Sequence, residues 1–302
     1  MDTILPEIGT WLAALTAAYV ITVALTVTGG VLYCSWAKRR YAGDEGDAVE
    51  LAVFRQFRAS FFERFVGLVV EIVCQNVALL LRGLHQLHLL PPPRVDARGT
   101  PLLVLPGYVE NAGTVWWLGR RLARAGFNAI LIEFPTTTCA IEQNVTYLAR
   151  RIAEVRAAHA GREVAIVAHS MGGVIARTLM LSRGDHGVCA LVAIGSPFAG
   201  THLARLGARL RIGHCVPQLV PDSDFMQRFP PSLGAPVPML SLIAPQENIV
   251  SPEWSAVVKG AQLHLLAQPY GHEAPLFMRS VYAEVERWLR ARGVARGADL
   301  PV

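Results

Sequence analysis

Two kinds of hydrophobic pattern divide the chain. The first third carries long apolar runs: no charged residue occurs from Ile8 to Ala37, and a second apolar run covers Phe65–Leu81. After Leu90-Pro91-Pro92-Pro93 the apolar runs shorten to strand length and alternate with amphipathic segments of helix length. Long apolar runs indicate membrane helices, whereas the alternating pattern indicates a parallel sheet with crossover helices. We therefore predict a membrane-anchoring helical region over 1–93 and one α/β domain over 94–302.

The N-terminal apolar run has its positive charges on the wrong side for a cleavable signal peptide. Asp2 and Glu7 precede it, and Lys38-Arg39-Arg40 follows it. A signal peptide would have a basic start and a shorter apolar core. We interpret Ile8–Trp36 as an uncleaved transmembrane helix whose C-terminal end faces the cytoplasm. An amphipathic helix is predicted to follow over Val49–Arg64.

The second apolar run contains Glu71, Gln75 and Asn76 on or near one helical face. It is either a second membrane span whose polar face meets the first helix, or an interfacial or domain-docked amphipathic helix. One span would place the α/β domain in the cytoplasm. Two spans would place it in the periplasm or outside the cell.

The α/β domain is predicted to contain six strands and four main helices. The strands are Pro101–Leu105, Phe127–Glu133, Glu163–Ala168, Val188–Ile194, Pro236–Ile243 and Ala261–Leu266, and the helices are Ala112–Ala125, Ile141–Ala160, Met171–Ser182 and Pro275–Arg292. The irregular stretch between the fourth and fifth strands mixes apolar residues with arginines over 200–235. Two interpretations of it stay open: a lid over the sheet edge, or a surface loop with ordinary core contacts.

Composition, charge and cysteine content exclude several classes of function. The chain has 302 residues, of which 52% are hydrophobic, and a net charge of +5. The basic residues are not interleaved with aromatics, which argues against nucleic-acid binding and leaves a basic surface that favours anionic lipid. Five cysteines form no C-x-x-C pair and no zinc spacing, so neither a complete disulfide framework nor a metal or other cofactor is expected. The oligomeric state stays open.

The strongest chemical signal is the stretch EVAIVAHSMGGVI, Glu163–Ile175. A β-branched run of strand length leads directly into Ser170, and Gly172 and Gly173 open a helix-compatible segment. A serine on such a turn has its hydroxyl pushed out of the backbone, as in the G-x-S-x-G nucleophile elbow, with Ala168 here in place of the first glycine. An ordinary N-cap serine is the alternative, but the flanking strand and helix favour a nucleophile.

A serine nucleophile needs a base within hydrogen-bond reach. His272 lies after the last predicted strand and just before the closing helix, so its loop is at the carboxyl edge of the sheet and faces the elbow. His264 lies inside that strand and is expected to be packed or at the surface. His169 adjoins Ser170 but points the other way, so we interpret it as structural.

The base needs an acid to orient it, and the loop after the fifth predicted strand supplies one. Glu247 is the first carboxylate of that loop and is the predicted acid. Asp222 and Asp224, which precede the strand, are the alternatives.

An oxyanion hole needs two backbone N–H groups aimed at the developing charge. Met171, directly after the nucleophile and at a helix N-terminus, is the first predicted donor. Tyr108 is the second, in the loop after the first strand (residues 106–111, the oxyanion loop), where Gly107 permits the turn.

Five stretches match, in chain order, the motifs of one known family. They are VLPGYVENAGTVWWLGRRLARAGFNAILIEFP (104–135), AHSMGGVIAR (168–177), AIGSPFAGT (193–201), APQENIVSP (244–252) and GHEAPLF (271–277). Together they resemble bacterial lipases of the α/β-hydrolase fold, and the resemblance covers roughly Pro101–Leu289.

The resemblance implies a triad of Ser170, Glu247 and His272, with Tyr108 and Met171 as oxyanion donors. Two positions depart from the family pattern. Pro106 stands where the family usually has a histidine that braces the oxyanion loop. Glu247 stands where the family more often has Asp, which is one methylene shorter.

These observations together predict an α/β-hydrolase fold, with a mostly parallel sheet flanked by helices and preceded by one or two membrane helices. The expected function is a membrane-anchored serine carboxylester hydrolase, a lipase or esterase that cleaves acyl esters through an acyl-enzyme at the bacterial inner membrane. The same triad also serves thioesterases, amidases and polyester depolymerases, and a catalytically silent hydrolase-fold membrane scaffold is a further alternative. The acyl chain length and the alcohol of the substrate stay open.

Overall fold

The computed structural model describes Tyr19, residues 21–36 and residues 59–297. Most of the predicted helix Val49–Arg64 and the start of the predicted first span lie outside the described residues. The division at 93/94 stays a prediction, although the structure shows extensive contacts across it.

The α/β domain contains a six-stranded sheet whose neighbouring strands are all parallel, in the order β2-β1-β3-β4-β5-β6. The strands are β1 Pro101–Leu105, β2 Asn128–Leu131, β3 Val164–His169, β4 Val188–Ile194, β5 Met239–Ile243 and β6 Gln262–Leu265. The helices are α1 Ile21–Trp36, α2 Phe61–Gln86, α3 Trp116–Arg124, α4 Ile141–Ala158, α5 Met171–Ser182, α6 Leu203–Arg209, α7 Cys215–Gln218, α8 Asp224–Arg228 and α9 Arg279–Ala291. The predicted mostly parallel sheet flanked by helices is confirmed.

The helix bounds differ from the prediction where side chains or turns compete with the helix. Residues 112–115 form turns, because the Asn111 side chain accepts a hydrogen bond from the Gly113 N–H (2.9 Å), and α3 begins only at Trp116. The predicted closing helix is divided in two. Ala274–Phe277 is a 3-10 turn and Met278 is extended, so α9 begins at Arg279.

The core lies on both faces of the sheet because parallel strands are buried on both sides. Leu103 and Leu105 of β1 join a cluster with α4 and α5, while Leu102 and Val104 join the opposite cluster with α3 and α9. All five residues of β1 and all six of β3 are buried. The carboxyl ends of these central strands therefore form a fixed platform for the loops that follow them.

The stretch predicted as a lid or a surface loop is largely packed against the domain. Its buried residues belong to the core: Ala204, Cys215, Val216, Leu219, Phe225 and Met226. The Arg177 guanidinium of α5 donates hydrogen bonds to the carbonyls of Phe229, Pro230 and Gly234. Exposed apolar side chains occur mainly in one part of the stretch, at Leu206, Leu210 and Ile212.

Helix α2 is amphipathic and docks on the domain. It starts with a capping box in which Ser60 and Glu63 exchange side-chain and backbone hydrogen bonds. One face is buried, with Gly67, Glu71, Cys74, Ala78 and Leu81, and the opposite face exposes Phe61, Phe62, Phe65, Val66, Val69, Val73, Val77 and Leu80. Among the described helices, α2 is the one that is long and apolar enough to cross a membrane, a test that core helices also pass.

The contacts of α2 favour the domain-docked interpretation of its sequence. A Cβ at Gly67 would collide with the Pro269 carbonyl, and the Arg82 carbonyl four turns later accepts a hydrogen bond from Asn111 (3.1 Å). Helix α1 also reaches the domain, since its Tyr33 hydroxyl donates to the His202 carbonyl (3.1 Å). Both helices therefore contact loops at the carboxyl edge of the sheet.

Candidate active site

Ser170 occupies the turn between β3 and α5 in a strained backbone conformation, with φ 52° and ψ −127°. Its N–H donates to the Ile194 carbonyl (2.9 Å), which fixes the turn against β4. A Cβ at Gly172 would lie 2.6 Å from the Pro106 carbonyl oxygen, and one at Gly173 would collide with Ser196. The glycines therefore let the turn pack against its neighbours, and strain of this kind persists where the surroundings impose it.

His272 and Glu247 form a buried pair beside the elbow. The Nδ1 atom of His272 lies 3.0 Å from Oε2 and 3.1 Å from Oε1 of Glu247, and both residues are more than nine-tenths buried. Gly195, at the end of β4, has φ +57°, and a Cβ there would lie 3.1 Å from Glu247 and 3.3 Å from His272. Glycine at this position leaves space for the pair.

Backbone contacts fix both members of the pair. The His272 N–H donates to the Asn248 side-chain oxygen (2.8 Å), and the Val250 N–H donates to Glu247 (3.3 Å). Burial acts to lower the pKa of His272, but the charge and hydrogen bond of Glu247 outweigh it and raise the pKa above the ordinary histidine value. The pair is therefore arranged to stabilise a protonated imidazole.

The structure separates the three candidate acids. Glu247 contacts His272, whereas Asp222 forms an exposed ion pair with Arg205 (3.0 Å) and Asp224 lies in the first turn of α8. Within the described part of the chain, neither the Ser170 hydroxyl nor Nε2 of His272 has a hydrogen-bond partner. Bonds between a nucleophile and its base commonly tighten only when substrate is bound.

The two predicted oxyanion donors are both free. Met171 is the first residue of α5, and Tyr108 lies in a turn, so neither N–H has a partner among the described residues. The neighbouring Val109 has φ 55°, and its N–H donates to the Thr137 hydroxyl (2.9 Å). The Tyr108 hydroxyl donates to the Ile212 carbonyl (3.3 Å), which joins the oxyanion loop to the exposed apolar segment.

Glu110 is a site residue that sequence reasoning missed. Its carboxylate accepts a hydrogen bond from the Gly107 N–H (2.5 Å) and lies 2.9 Å from Nδ1 of His169. It therefore braces the oxyanion loop, which is the role that the family histidine has and Pro106 cannot fill. A carboxylate three positions after the loop glycine is the sequence signal that would have found it.

His169, interpreted from the sequence as structural, links the oxyanion loop to the histidine loop (residues 268–273). Its Nε2 lies 3.1 Å from the His272 carbonyl oxygen, and the two imidazole rings are 4.6 Å apart. Burial acts to lower the pKa of His169, but the Glu110 charge and hydrogen bond raise it to about 10. For Glu110, burial acts to raise the pKa, and His169 outweighs it and lowers the pKa below the usual value. The two residues thus form a buried ion pair.

Two further buried carboxyl groups lie beside this ion pair. Burial and the nearby Glu110 charge raise the pKa of Glu273 to about 8. Glu71 of α2 accepts hydrogen bonds from the N–H groups of Glu273 and Ala274, each 2.9 Å long. Glu110, His169 and Glu273 have potential metal-ligand atoms within 4.8 Å of one another, but both ring nitrogens of His169 already have hydrogen-bond partners. Hydrogen bonds therefore account for His169 and Glu110, whereas Oε2 of Glu273 is buried without a hydrogen-bond partner among the described residues.

Comparisons with known proteins agree with this architecture. A family model for the alpha/beta hydrolase fold matches residues 100–214. No curated protein matches the sequence.

Among solved structures, Aspergillus fumigatus lipase B is similar, with a TM-score of 0.56, 18% identity, and 70% of this chain and 58% of that chain covered. The mature Bacillus licheniformis lipase BlEst2 gives a TM-score of 0.53, 17% identity, and 65% and 95% coverage. The metagenomic carboxyl esterase MGS0156 gives a TM-score of 0.50, 16% identity, and 69% and 79% coverage. The geometry, the family model and these structures lead to one conclusion: the chain has the α/β-hydrolase fold.

Proposed function

We propose that this chain is a serine carboxylester hydrolase of lipase-like specificity, with Ser170 as nucleophile, His272 as base and Glu247 as the acid that orients the base. The observation that carries the proposal is the combination of a strained elbow serine with a buried His272–Glu247 pair. The similar folds of a lipase and a carboxyl esterase support it.

The proposed reaction uses groups of this chain alone. The Ser170 oxygen attacks the acyl carbonyl carbon while its proton passes to Nε2 of His272, and Glu247 stabilises the imidazolium. The N–H groups of Tyr108 and Met171 bind the oxyanion. The tetrahedral intermediate expels the alcohol, which takes the proton from His272 and leaves an acyl-enzyme. Water, deprotonated by His272, then releases the carboxylic acid and regenerates Ser170.

The surroundings of the oxyanion loop favour an apolar acyl chain. Val109 is 44% exposed, and Leu206, Leu210 and Ile212 are exposed on the segment that Tyr108 contacts. Apolar side chains beside the reacting groups bind lipid-like chains by removing them from water. We therefore propose acyl esters of apolar chains as substrates.

We further propose that the exposed apolar faces of α1 and α2 hold the enzyme at a membrane, the bacterial inner membrane. Leu25 of α1 and Phe61, Phe62 and Leu80 of α2 are each more than half exposed. Large exposed apolar side chains on a docked amphipathic helix are typical of a surface that contacts lipid. The docked position of α2 supports the domain-docked alternative for this helix over a second membrane span.

Turnover of p-nitrophenyl esters tests the chemistry. We expect wild-type hydrolysis that increases from short to medium acyl chains and that disappears in Ser170→Ala. Ser182→Ala, at the other end of the same helix, is the matched control and is expected to retain turnover. Equal turnover in wild type and Ser170→Ala would contradict the proposal, and a wild type inactive on all esters but active on thioesters or amides would select those alternatives. A folded wild type without any turnover would support the silent scaffold.

Flotation with anionic phospholipid vesicles tests the membrane surface. Phe62→Asp and Leu80→Asp are expected to lower the bound fraction, whereas Leu233→Asp, an exposed leucine on the α/β domain, is expected to leave it unchanged. Equal loss in all three variants would contradict a specific membrane face. A reporter fused after Leu90 and active on one side of the membrane distinguishes one span from two.

A further inference from the structure

Helix α2 lies before the proline-rich linker, yet it contacts the backbone that carries the candidate base. Glu71 is buried in the middle of the helix, with 1% of its surface exposed. Its two carboxylate oxygens accept the N–H groups of Glu273 and Ala274, the two residues that directly follow His272. A Cβ at Gly271, directly before His272, would lie 2.5 Å from the Glu71 carboxyl carbon.

From these contacts we infer that Glu71 is a positioning residue for His272, so that α2 is part of the active-site structure. This inference deepens the proposed function and rests on it. Glu71 does not touch the reacting atoms. It acts on the main chain beside the base and thereby sets the position of the imidazole between Glu247 and Ser170.

The Glu71 contact can position His272 because the N–H groups of Glu273 and Ala274 lie at the start of a turn. They precede or begin the 3-10 turn Ala274–Phe277, where helical turns leave N–H groups without internal partners. The two oxygens of the Glu71 carboxyl group accept both at once, one N–H each. A neutral or shorter side chain at position 71 would leave one or both donors buried and unpaired, which favours a shift of the loop.

The bonds to His272 itself come from other elements than α2. The His272 N–H is bonded to Asn248, and the His272 carbonyl is bonded to His169. Each of these contacts comes from a different element, and each fixes an atom of His272 itself. Glu71 holds the two residues directly after His272, while further along the chain the Tyr282 hydroxyl donates to the Leu276 carbonyl (2.6 Å). Loss of the Glu71 bonds therefore frees the residues beside the base to move.

Close packing of α2 against the histidine loop fixes the position of Glu71. Gly67, one turn earlier, lies so close to the Pro269 carbonyl that any larger side chain would collide with it. Glu71 and Gly67 therefore form one contact surface between α2 and the histidine loop, at Pro269, Gly271, Glu273 and Ala274. The opposite face of α2 is the exposed apolar face assigned to the membrane, so the same helix meets the lipid and the active site.

Kinetics of the full chain on a p-nitrophenyl ester test the inference. In Glu71→Gln one acceptor oxygen remains, and we expect kcat to fall about tenfold with KM unchanged. In Glu71→Ala both bonds are lost, and we expect a fall of about 100-fold, the scale of a 1 Å misplacement. Gln75→Ala is the matched control, because Gln75 lies one turn along the same helix and has no hydrogen bond to the histidine loop. This variant is expected to keep wild-type kcat.

A substitution in the histidine loop tests the same contact between Glu71 and the loop. Gly271→Ala is expected to displace the Glu71 carboxylate and to lower kcat in the same way, and the double variant with Glu71→Gln is expected to lose less than the product of the two single effects. The Nδ1 proton of His272 in the NMR spectrum is expected to move upfield in each variant, because the bond to Glu247 weakens.

The outcomes separate the inference from the proposed function. Wild-type kcat and an unmoved Nδ1 proton in folded Glu71→Gln would overturn the positioning role and leave the triad intact. A fall in stability with unchanged kcat would also overturn it, since that is a purely structural effect. Absence of ester turnover in the wild type would instead overturn the proposed function.

Discussion

Two buried His–Glu pairs lie side by side at the carboxyl edge of the sheet. In the first, Nδ1 of His272 is 3.0 Å from Glu247, and in the second, Nδ1 of His169 is 2.9 Å from Glu110. The imidazole rings are 4.6 Å apart, and both pairs are almost completely buried. By residue type, distance and burial the two pairs are nearly the same.

The second ring nitrogen, Nε2, distinguishes His272 from His169. Nε2 of His169 lies 3.1 Å from the His272 carbonyl oxygen, whereas Nε2 of His272 has no partner among the described residues. A histidine with both nitrogens bonded to fixed groups cannot exchange a proton with a substrate. The comparison therefore supports the proposed catalytic role for the first pair and a bracing role for the second.

Removing each histidine should separate these roles most strongly. His272→Ala is expected to lower kcat by about 10⁵- to 10⁶-fold, the scale seen when a triad histidine is removed. Its free energy of unfolding is also expected to fall, because Glu247 would remain buried and unpaired. His169→Ala is expected to lower the free energy of unfolding by about 3–5 kcal/mol, because Glu110 would remain buried and unpaired. A loss of kcat in His169→Ala as large as that in His272→Ala would contradict the assignment.

Neutralising each carboxylate should give a smaller contrast. Glu247→Gln is expected to lower kcat about 10⁴-fold, since an amide cannot stabilise the imidazolium or hold its tautomer. Glu110→Gln is expected to cost about 10²-fold, through a loosened Gly107–Tyr108 segment and a weaker oxyanion hole. Steady-state kinetics measure both, with Glu154→Gln on the surface as control. A larger loss for Glu110→Gln than for Glu247→Gln would reverse the roles.

The smallest expected effect is the contribution of Glu273 to the pH dependence of the free energy of unfolding. Glu273 has a pKa of about 8 in the folded chain and an ordinary value near 4.3 when unfolded. The folded state therefore binds the extra proton between these values, and the free energy of unfolding falls as pH rises from about 4.5 to about 8. Glu273→Gln removes this contribution while His169 and Glu110 stay in place.

Thermal unfolding between pH 5 and pH 9 measures the contribution of Glu273. The melting temperature of Glu273→Gln minus that of the wild type is expected to increase with pH and to level off above about pH 8. Parallel curves for the two proteins would show that Glu273 titrates normally.

The three residues of the predicted triad lie in the turn or loops that follow strands. Ser170, Glu247 and His272 follow β3, β5 and β6, and a strand-length apolar run marks each of these positions along the chain. The parallel topology then brings the three loops to one edge of the sheet. The fold and the candidate triad could therefore be predicted from local patterns.

The bracing network could not be predicted in this way. Glu110 and His169 are 59 positions apart, and Glu71 and Glu273 are 202 apart, so their pairing depends on packing that no local pattern encodes. In the sequence Glu71 stands out as a charge in an apolar run, on or near a polar helical face, but the sequence leaves open what that face contacts. The structure places it against the histidine loop.

Covalent labelling tests the central claim most directly. The intact chain is treated with a fluorophosphonate, and the modified residue is located by peptide mass spectrometry, with His272→Ala as a folded control that lacks the base. The account predicts a single adduct on Ser170 in the wild type and labelling of His272→Ala that is slower by several orders of magnitude. An unlabelled wild type, an adduct on another serine, or equal labelling rates in the two proteins would contradict it.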